Sequence, residues 1–223
     1  MSQLALYNYF RSSTSYRVRI ALHYKNLDFE YKPIHLLNQG GEQNLPEYRK
    51  LNPSGGVPSL VHNGKTISQT MAIFLYLDEA FPDSPNLFPK NAYGKAKVAQ
   101  ICEMVNSDIH PLTNLKMTQY LDNKLKLSDQ QKKEWTEKWV PDGLAAIEKV
   151  LAQTAGNYCY GDSLTAADMF LIPQIFTAVR AELDLKSYPT ITRINEKCLA
   201  LQVFRHSHPN SQIDTPEEFK GNL

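Results

Sequence analysis

The sequence predicts an α/β domain over residues 1–81, a linker over 82–91 and an all-α domain over 92–223. Three observations carry this division. Short apolar runs alternate with helical periodicity as far as Phe81, prolines then crowd the stretch "PDSPNLFPKN", and long helical periods follow with hardly any strand signal. A chain of 223 residues can bury two such cores.

The elements follow in order. "LALY" (4–7) is a short apolar run and reads as a strand. "RSSTSYRVRIAL" then places an arginine and three hydroxyl side chains, Ser12, Ser13 and Thr14, before an amphipathic helix with apolar positions Val18, Ile20, Ala21 and Leu22. Lys25-Asn26 is its end signal, and "FEYKPIHL" (29–36) is the second strand. A β-α-β unit of this length is that of a right-handed parallel crossover. After a polar loop, "VPSLVHNGKTI" reads as a hairpin turning at Asn63-Gly64. "SQTMAIFLYLDEAF" is a helix with Ser68 as its cap and Met71, Phe74, Leu75 and Leu77 at helical spacing.

In the second domain one helix is expected over 92–120, bent at Pro111, and another over 128–154, kinked at Pro141. A third opens on Thr165 and Asp168, an [ST]xx[DE] capping box. A fourth starts near Pro189, and the tail from His206 reads as irregular.

A net charge of +1 gives no global field to recruit nucleic acid or an anionic membrane, so any attraction for anions is local. No run reaches the ~18 apolar residues of a membrane span, and the first residues lack the pattern of a secretory signal. Cys102, Cys159 and Cys198 lie far apart with no CxxC. They read as buried small hydrophobes in a reducing compartment, with the cytoplasm the default address, and they argue against a disulfide framework or a metal site.

Four features invite chemistry, and each has a plainer alternative. The hydroxyls at 12–14 either cap a helix or face something anionic. Ser68 is a plain cap, or Gln69 and Thr70 hold a carboxylate at the helix N-terminus. By spacing alone the Val57-Pro58 bond is cis only at about the general X-Pro rate. His110 could serve structure or a site, and Arg11 and Arg180 could form surface ion pairs or grip a carboxylate with their planar forks.

These segments, in this order, resemble the glutathione transferases, and most closely the zeta class that contains maleylacetoacetate isomerase. The resemblance spans "SSTSYRVRIAL", "LNPSGGVPSL", "SQTMAIFLYL", "DIHPLTNLKMTQYL", "YGDSLTAADMFLIPQ" and "YPTITRINEKCLALQVFRHSHPNSQIDTP". It implies the glutathione transferase fold, thioredoxin-like in its N-terminal domain with a cis proline at 58, and glutathione as cofactor. It implies catalytic roles for Ser12, Ser13 and Thr14. Glutathione falls to Ser12, Gln43 (glycyl end), Val57 (cysteinyl backbone), Gln69 and Thr70 (γ-glutamyl end), His110 and Asn114. Arg180 matches a family arginine that binds a substrate carboxylate, Arg11 stands beside the serines to serve the other, Lys116 is a weaker third, and no metal is needed.

The implied reaction is cis–trans isomerisation of a keto-enoic dicarboxylate by a homodimer. Thr14 stands where most zeta enzymes carry cysteine, a form that resembles the bacterial maleylpyruvate isomerases, as does "DIHP". Two substrates therefore stay open, beside a general transferase or dehalogenase and a non-catalytic glutathione-binding module.

Overall fold

The computed structural model describes residues 4–221. The chain divides into two compact units, Met1–Leu87 with Leu199–Leu223, and Phe88–Cys198. The first unit holds strand β1 (Leu4–Asn8), helix α1 (Ser13–Tyr24), β2 (Glu30–Pro33), α2 (Pro46–Leu51), the hairpin β3 (Ser59–His62) and β4 (Lys65–Ser68), and α3 (Thr70–Ala80). The sheet order is β2-β1-β3-β4, with β1 parallel to β2 and antiparallel to β3. Leu6 pairs with Tyr31 on one side and Leu60 on the other, and Leu6, Leu60, Ile73, Phe74 and Leu77 form a fully buried core. The hairpin turns at Asn63 (φ 49) and Gly64 (φ 77), the two positive φ angles of a type I′ turn.

Two expectations change here. Ser68 does not cap α3: it stays in the sheet opposite Ser59, and Gln69 takes the cap position. Helix α1 is buried all round rather than on one face, Arg17 and Arg19 included. The cause lies at the far end of the chain. The residues from 199 onward, counted above with the helical domain, carry a short helix α10 (Gln202–Ser207) that packs on α1, with Tyr16 Oη donating to Phe204 O (3.3 Å) and Arg19 Nε to Ser207 O (3.0 Å). The tail is therefore ordered around short turns at Pro209–Ser211 and Glu217–Phe219.

His208 lies in this tail with its ring edge-on to Tyr16. Its Nδ1 accepts the Asn210 N–H (3.2 Å), so the ring is held neutral at that nitrogen. Burial, and then the charge of Arg19, push its pKa down to about 4. The unfolded chain takes up this proton near pH ~6.5, the folded one only near 4. Stability is therefore full above about pH 6.5 and is lost as pH falls toward 4, by at most ~3 kcal/mol. Urea midpoints between pH 7 and 4.5 are expected to fall less steeply for His208→Gln than for the wild type, and parallel curves would remove His208 as a cause.

The second unit is helical: α4 (Ala92–Glu103), a π-helical turn (Met104–Ile109), α5 (His110–Thr113), α6 (Leu115–Asn123), α7 (Asp129–Thr154), α8 (Ala166–Arg180) and α9 (Pro189–Leu199). The bend expected at Pro111 arises differently. Pro111 sits harmlessly in the first turn of α5, the ladder widens before it at 104–109, and the chain breaks after it at Asn114 (ψ 169). Gly143 on α7 explains where the widening settles, since a Cβ there would lie 2.3 Å from Ile109 Cγ1. Glycine inside a helix costs about 1 kcal/mol against alanine, so this one is kept for the space it leaves. Gly143→Ala is expected to destabilise by about 1–3 kcal/mol despite its better propensity. In an Ile109→Ala background the same change should become neutral or stabilising, which a denaturant double-mutant cycle reads directly.

Candidate active site

Site residues in the first unit converge on the N-termini of α1 and α3 and on the loop before β3. Ser12 is the N-cap of α1 and its Oγ accepts the Ser15 N–H (3.1 Å). Ser12 Oγ also lies 2.9 Å from Thr14 Oγ1, and Thr14 Oγ1 donates to Val57 O (2.9 Å). A carbonyl can only accept, so the Thr14 proton is committed to Val57 and the Ser12 hydroxyl is the donor toward Thr14. The result is a directed chain, Ser12 to Thr14 to the Val57 carbonyl. Ser12 and Thr14 are half-buried, whereas Ser13 is buried, which leaves Ser12 and Thr14 as the accessible hydroxyls.

The Val57-Pro58 bond is cis, as the resemblance implied. The loop leading to it is held by residues to which the sequence reading gave no role. Tyr48, on α2, donates its hydroxyl to Gly56 O (2.6 Å) and meets Ser59 Oγ at 3.0 Å, and Asn52 Nδ2 donates to the same Gly56 carbonyl (2.8 Å). Burial raises the Tyr48 pKa, keeping its proton in place. Only the "NP" turn signal and the aromatic in "PEYRKLNP" hinted at them.

At α3 the cap is unusual. Gln69 has φ 72 and ψ 121, a strained region for a residue with a Cβ, and no side chain among the described residues caps the helix. The first N–H groups of an eleven-residue helix are thus left with the positive end of its dipole beside exposed Gln69 and buried Thr70. Gln43 is buried, and its Nε2 donates to Leu36 O (3.2 Å). Among the described residues its Oε1 is buried without a hydrogen-bond partner, an acceptor left unmet. Gly41 (φ 94) is required beneath it, because a Cβ there would come within 2.4 Å of the Gln43 amide. An acceptor at Gln43, free helix N–H groups at Gln69 and a hydroxyl at Ser12 fit a peptide that carries an N–H, a carboxylate and a thiol. Exposed Arg11 is held in the same unit, its guanidinium 6.0 Å from the Phe219 ring.

The remaining sequence candidates belong to the second unit. His110 opens α5, which Trp135 anchors by donating Nε1 to Leu112 O (2.7 Å). Asn114 spends its Oδ1 capping α6 at Met117 N (3.0 Å). Arg180 is exposed at the end of α8, 5.8 Å from the Phe176 ring centroid.

Comparison with known proteins identifies the family. Residues 2–79 match the family described as glutathione S-transferase, N-terminal domain, and 110–202 its C-terminal domain. The maleylacetoacetate isomerase of Mus musculus is 44% identical over 215 residues, 96% of each chain. The chain belongs to the glutathione transferases, in the zeta class. A bacterial zeta-class maleyl pyruvate isomerase structure superposes with a TM-score of 0.90 at 35% identity, covering 95% of this chain and all of that one. The maleylacetoacetate isomerase of Anaeromyxobacter dehalogenans 2CP-1, solved with GSH in its active site, gives 0.86 at 38% identity over 96% and 99%. No helix among the described residues is long and apolar enough to cross a membrane.

Proposed function

We propose that the chain is a glutathione-dependent cis–trans isomerase that converts maleylacetoacetate to fumarylacetoacetate. The observation that carries this reading is the half-buried Ser12 hydroxyl at the N-terminus of α1, wired through Thr14 to the carbonyl of the cis-Pro loop. When bound, glutathione supplies a thiolate that adds to the substrate double bond and departs after rotation.

The protein's own residues do the rest. Gln43, Val57, Gln69 and Thr70 hold the tripeptide, the α3 N-terminus taking its γ-glutamyl carboxylate. Ser12 turns its hydrogen from Thr14 toward the sulfur, exchanging a neutral hydrogen bond for a charge-assisted one. A thiol titrates near ~8.5 when free, and lowering it by about two units is worth roughly 2.7 kcal/mol. Arg180 is assigned to one carboxylate of the substrate, and His110 and Asn114 to glutathione, on the strength of the class resemblance, and Arg11 is assigned to the other carboxylate by its place beside Ser12. The homodimer rests on the same resemblance, and sedimentation tests it. None of the three cysteines is in a disulfide, which suits the cytoplasm.

The test is multiple-turnover isomerisation of maleylacetoacetate with substoichiometric glutathione, run beside maleylpyruvate. Turnover of the first is expected. Maleylpyruvate is the second reading, favoured by Thr14, and a strong preference for it would replace the first. Turnover of neither diacid, with apolar electrophiles conjugated instead, would make the chain a general transferase. Glutathione binding without any turnover would make it a binding module. Arg180→Ala is expected to raise KM for the diacid about 10-fold or more with glutathione affinity kept, since a lost charge-assisted pair is worth about 1.5–3 kcal/mol. An unchanged KM would remove Arg180 from the site.

A further inference from the structure

The linker that joins β1 to Ser12 consists of Tyr9, Phe10 and Arg11, and two charged side chains hold its backbone. Buried Arg19, on the helix that Ser12 caps, donates from Nη1 to Tyr9 O (3.3 Å) and Asn8 Oδ1 (2.9 Å), and from Nη2 to Phe10 O (2.9 Å). The Tyr9 carbonyl also accepts the Ser12 N–H (3.1 Å). From the C-terminal tail, Asp214 Oδ2 accepts the Phe10 N–H (3.0 Å), and its Oδ1 accepts the Tyr31 hydroxyl at 2.5 Å. The third guanidinium nitrogen of Arg19 reaches the tail too, at Ser207 O. The tail and the catalytic linker are thus bound through Arg19, which is buried, and through Asp214 and Tyr31, which are half-buried.

We propose that Asp214 and Arg19 are positioning residues for Ser12, and that the C-terminal tail is in this way part of the catalytic apparatus. Neither touches glutathione or substrate. They act by fixing Tyr9 and Phe10, from which the direction of the Ser12 hydroxyl follows. A chain turning from a strand into a helix within four residues has several routes available. Cross-bonding the Tyr9 and Phe10 carbonyls and the Phe10 amide selects one of them. A misplacement of about 1 Å at a reacting group can cost about 100-fold in rate, so small freedom here is expensive. The proposal rests on the glutathione reading above.

Two variants of the full chain test it. In Asp214→Ala the Phe10 N–H loses its acceptor. In Asp214→Asn the amide oxygen can accept that N–H while its NH2 donates to the Tyr31 hydroxyl, which can turn to accept. Asp214→Ala is expected to lower kcat about 10-fold or more with glutathione affinity within about 3-fold of wild type. The bound glutathione thiol, followed by its thiolate absorbance, should titrate about one unit higher, and the Phe10 amide should exchange with solvent about 10-fold faster. Asp214→Asn should restore all three readouts to within about 3-fold of wild type. A role in stability alone would lower the melting temperature and leave the thiol titration where it was. A folded Asp214→Ala protein with wild-type kcat, titration and exchange overturns the proposal. Should that variant not fold, Tyr31→Phe removes one of the two anchors of the carboxylate. The thiol titration should then move in the same direction, and an unmoved titration overturns the proposal. A wild-type protein that shows no thiolate signal with glutathione overturns the glutathione reading itself and this proposal with it.

Discussion

Ser12→Ala is expected to lower kcat for the isomerisation about 100-fold, the usual cost of removing one preorganised donor to a reacting anion. Glutathione affinity should change little, because Gln43, Val57 and the α3 N-terminus still hold the peptide. The variant also loses the bond from Ser15 N–H, a helix cap worth about 1 kcal/mol. Stability and rate would therefore fall together, and a second substitution separates them. Aspartate is as good a cap as serine, but its carboxylate donates no hydrogen and repels a thiolate. Ser12→Asp should keep the melting temperature and lose at least as much activity as Ser12→Ala. If Ser12→Asp were stable and active, the hydroxyl would be a cap and nothing more.

The directed chain of hydroxyls gives Thr14 a definite part in this. A threonine at 14 both accepts the Ser12 hydrogen and donates its own to Val57 O, at 2.9 Å in each case. A thiol in that place would be a weaker donor and acceptor. Threonine therefore ties the cap of α1 to the cis-Pro loop more firmly than cysteine would, two elements 43 residues apart in the chain.

What the sequence disclosed and what it hid follow one physical division. Strands β1, β3 and β4, the Asn63-Gly64 turn and the start of α8 were legible because alternation, turn chemistry and capping are local signals. The burial of α1 was not. The helix read as amphipathic, and what packs on it is a segment some 180 residues later, whose Phe204 and Ser207 carbonyls take hydrogen bonds from Tyr16 and Arg19. The π-helical turn at 104–109 was hidden for the same reason, since it depends on the space that Gly143 leaves on another helix. In the site, the hydroxyl cluster stood out by composition alone. The Thr14–Val57 bond, the struts from Tyr48 and Asn52, and the strain at Gln69 are pairings across the fold, and only coordinates display them.

The largest effect on stability is expected at Asp168, where a local signal and a non-local one meet. The capping box read from Thr165 and Asp168 forms. Asp168 Oδ2 accepts the Thr165 N–H (2.9 Å) and its hydroxyl (3.2 Å), while Oδ1 accepts the Cys159 N–H (2.8 Å) and so closes the loop before α8. Burial pushes the carboxyl above its ordinary range, and those hydrogen bonds pull it back. Asp168→Ala removes a cap and strands two buried N–H groups, at about 1–3 kcal/mol for each orphan. A loss of about 3 kcal/mol follows, or some 6–12 °C in melting temperature. Asparagine does not rescue this site as it does Asp214. Both carboxylate oxygens of Asp168 face backbone N–H groups, which cannot turn round to accept, so the new NH2 must oppose one of them. Asp168→Asn is therefore expected to lose nearly as much as Asp168→Ala, with kcat per folded molecule unchanged in both. A melting temperature within about 2 °C of wild type for either variant would mean that the loop and the α8 terminus find other partners, and that the box is local decoration on a helix held by its apolar packing.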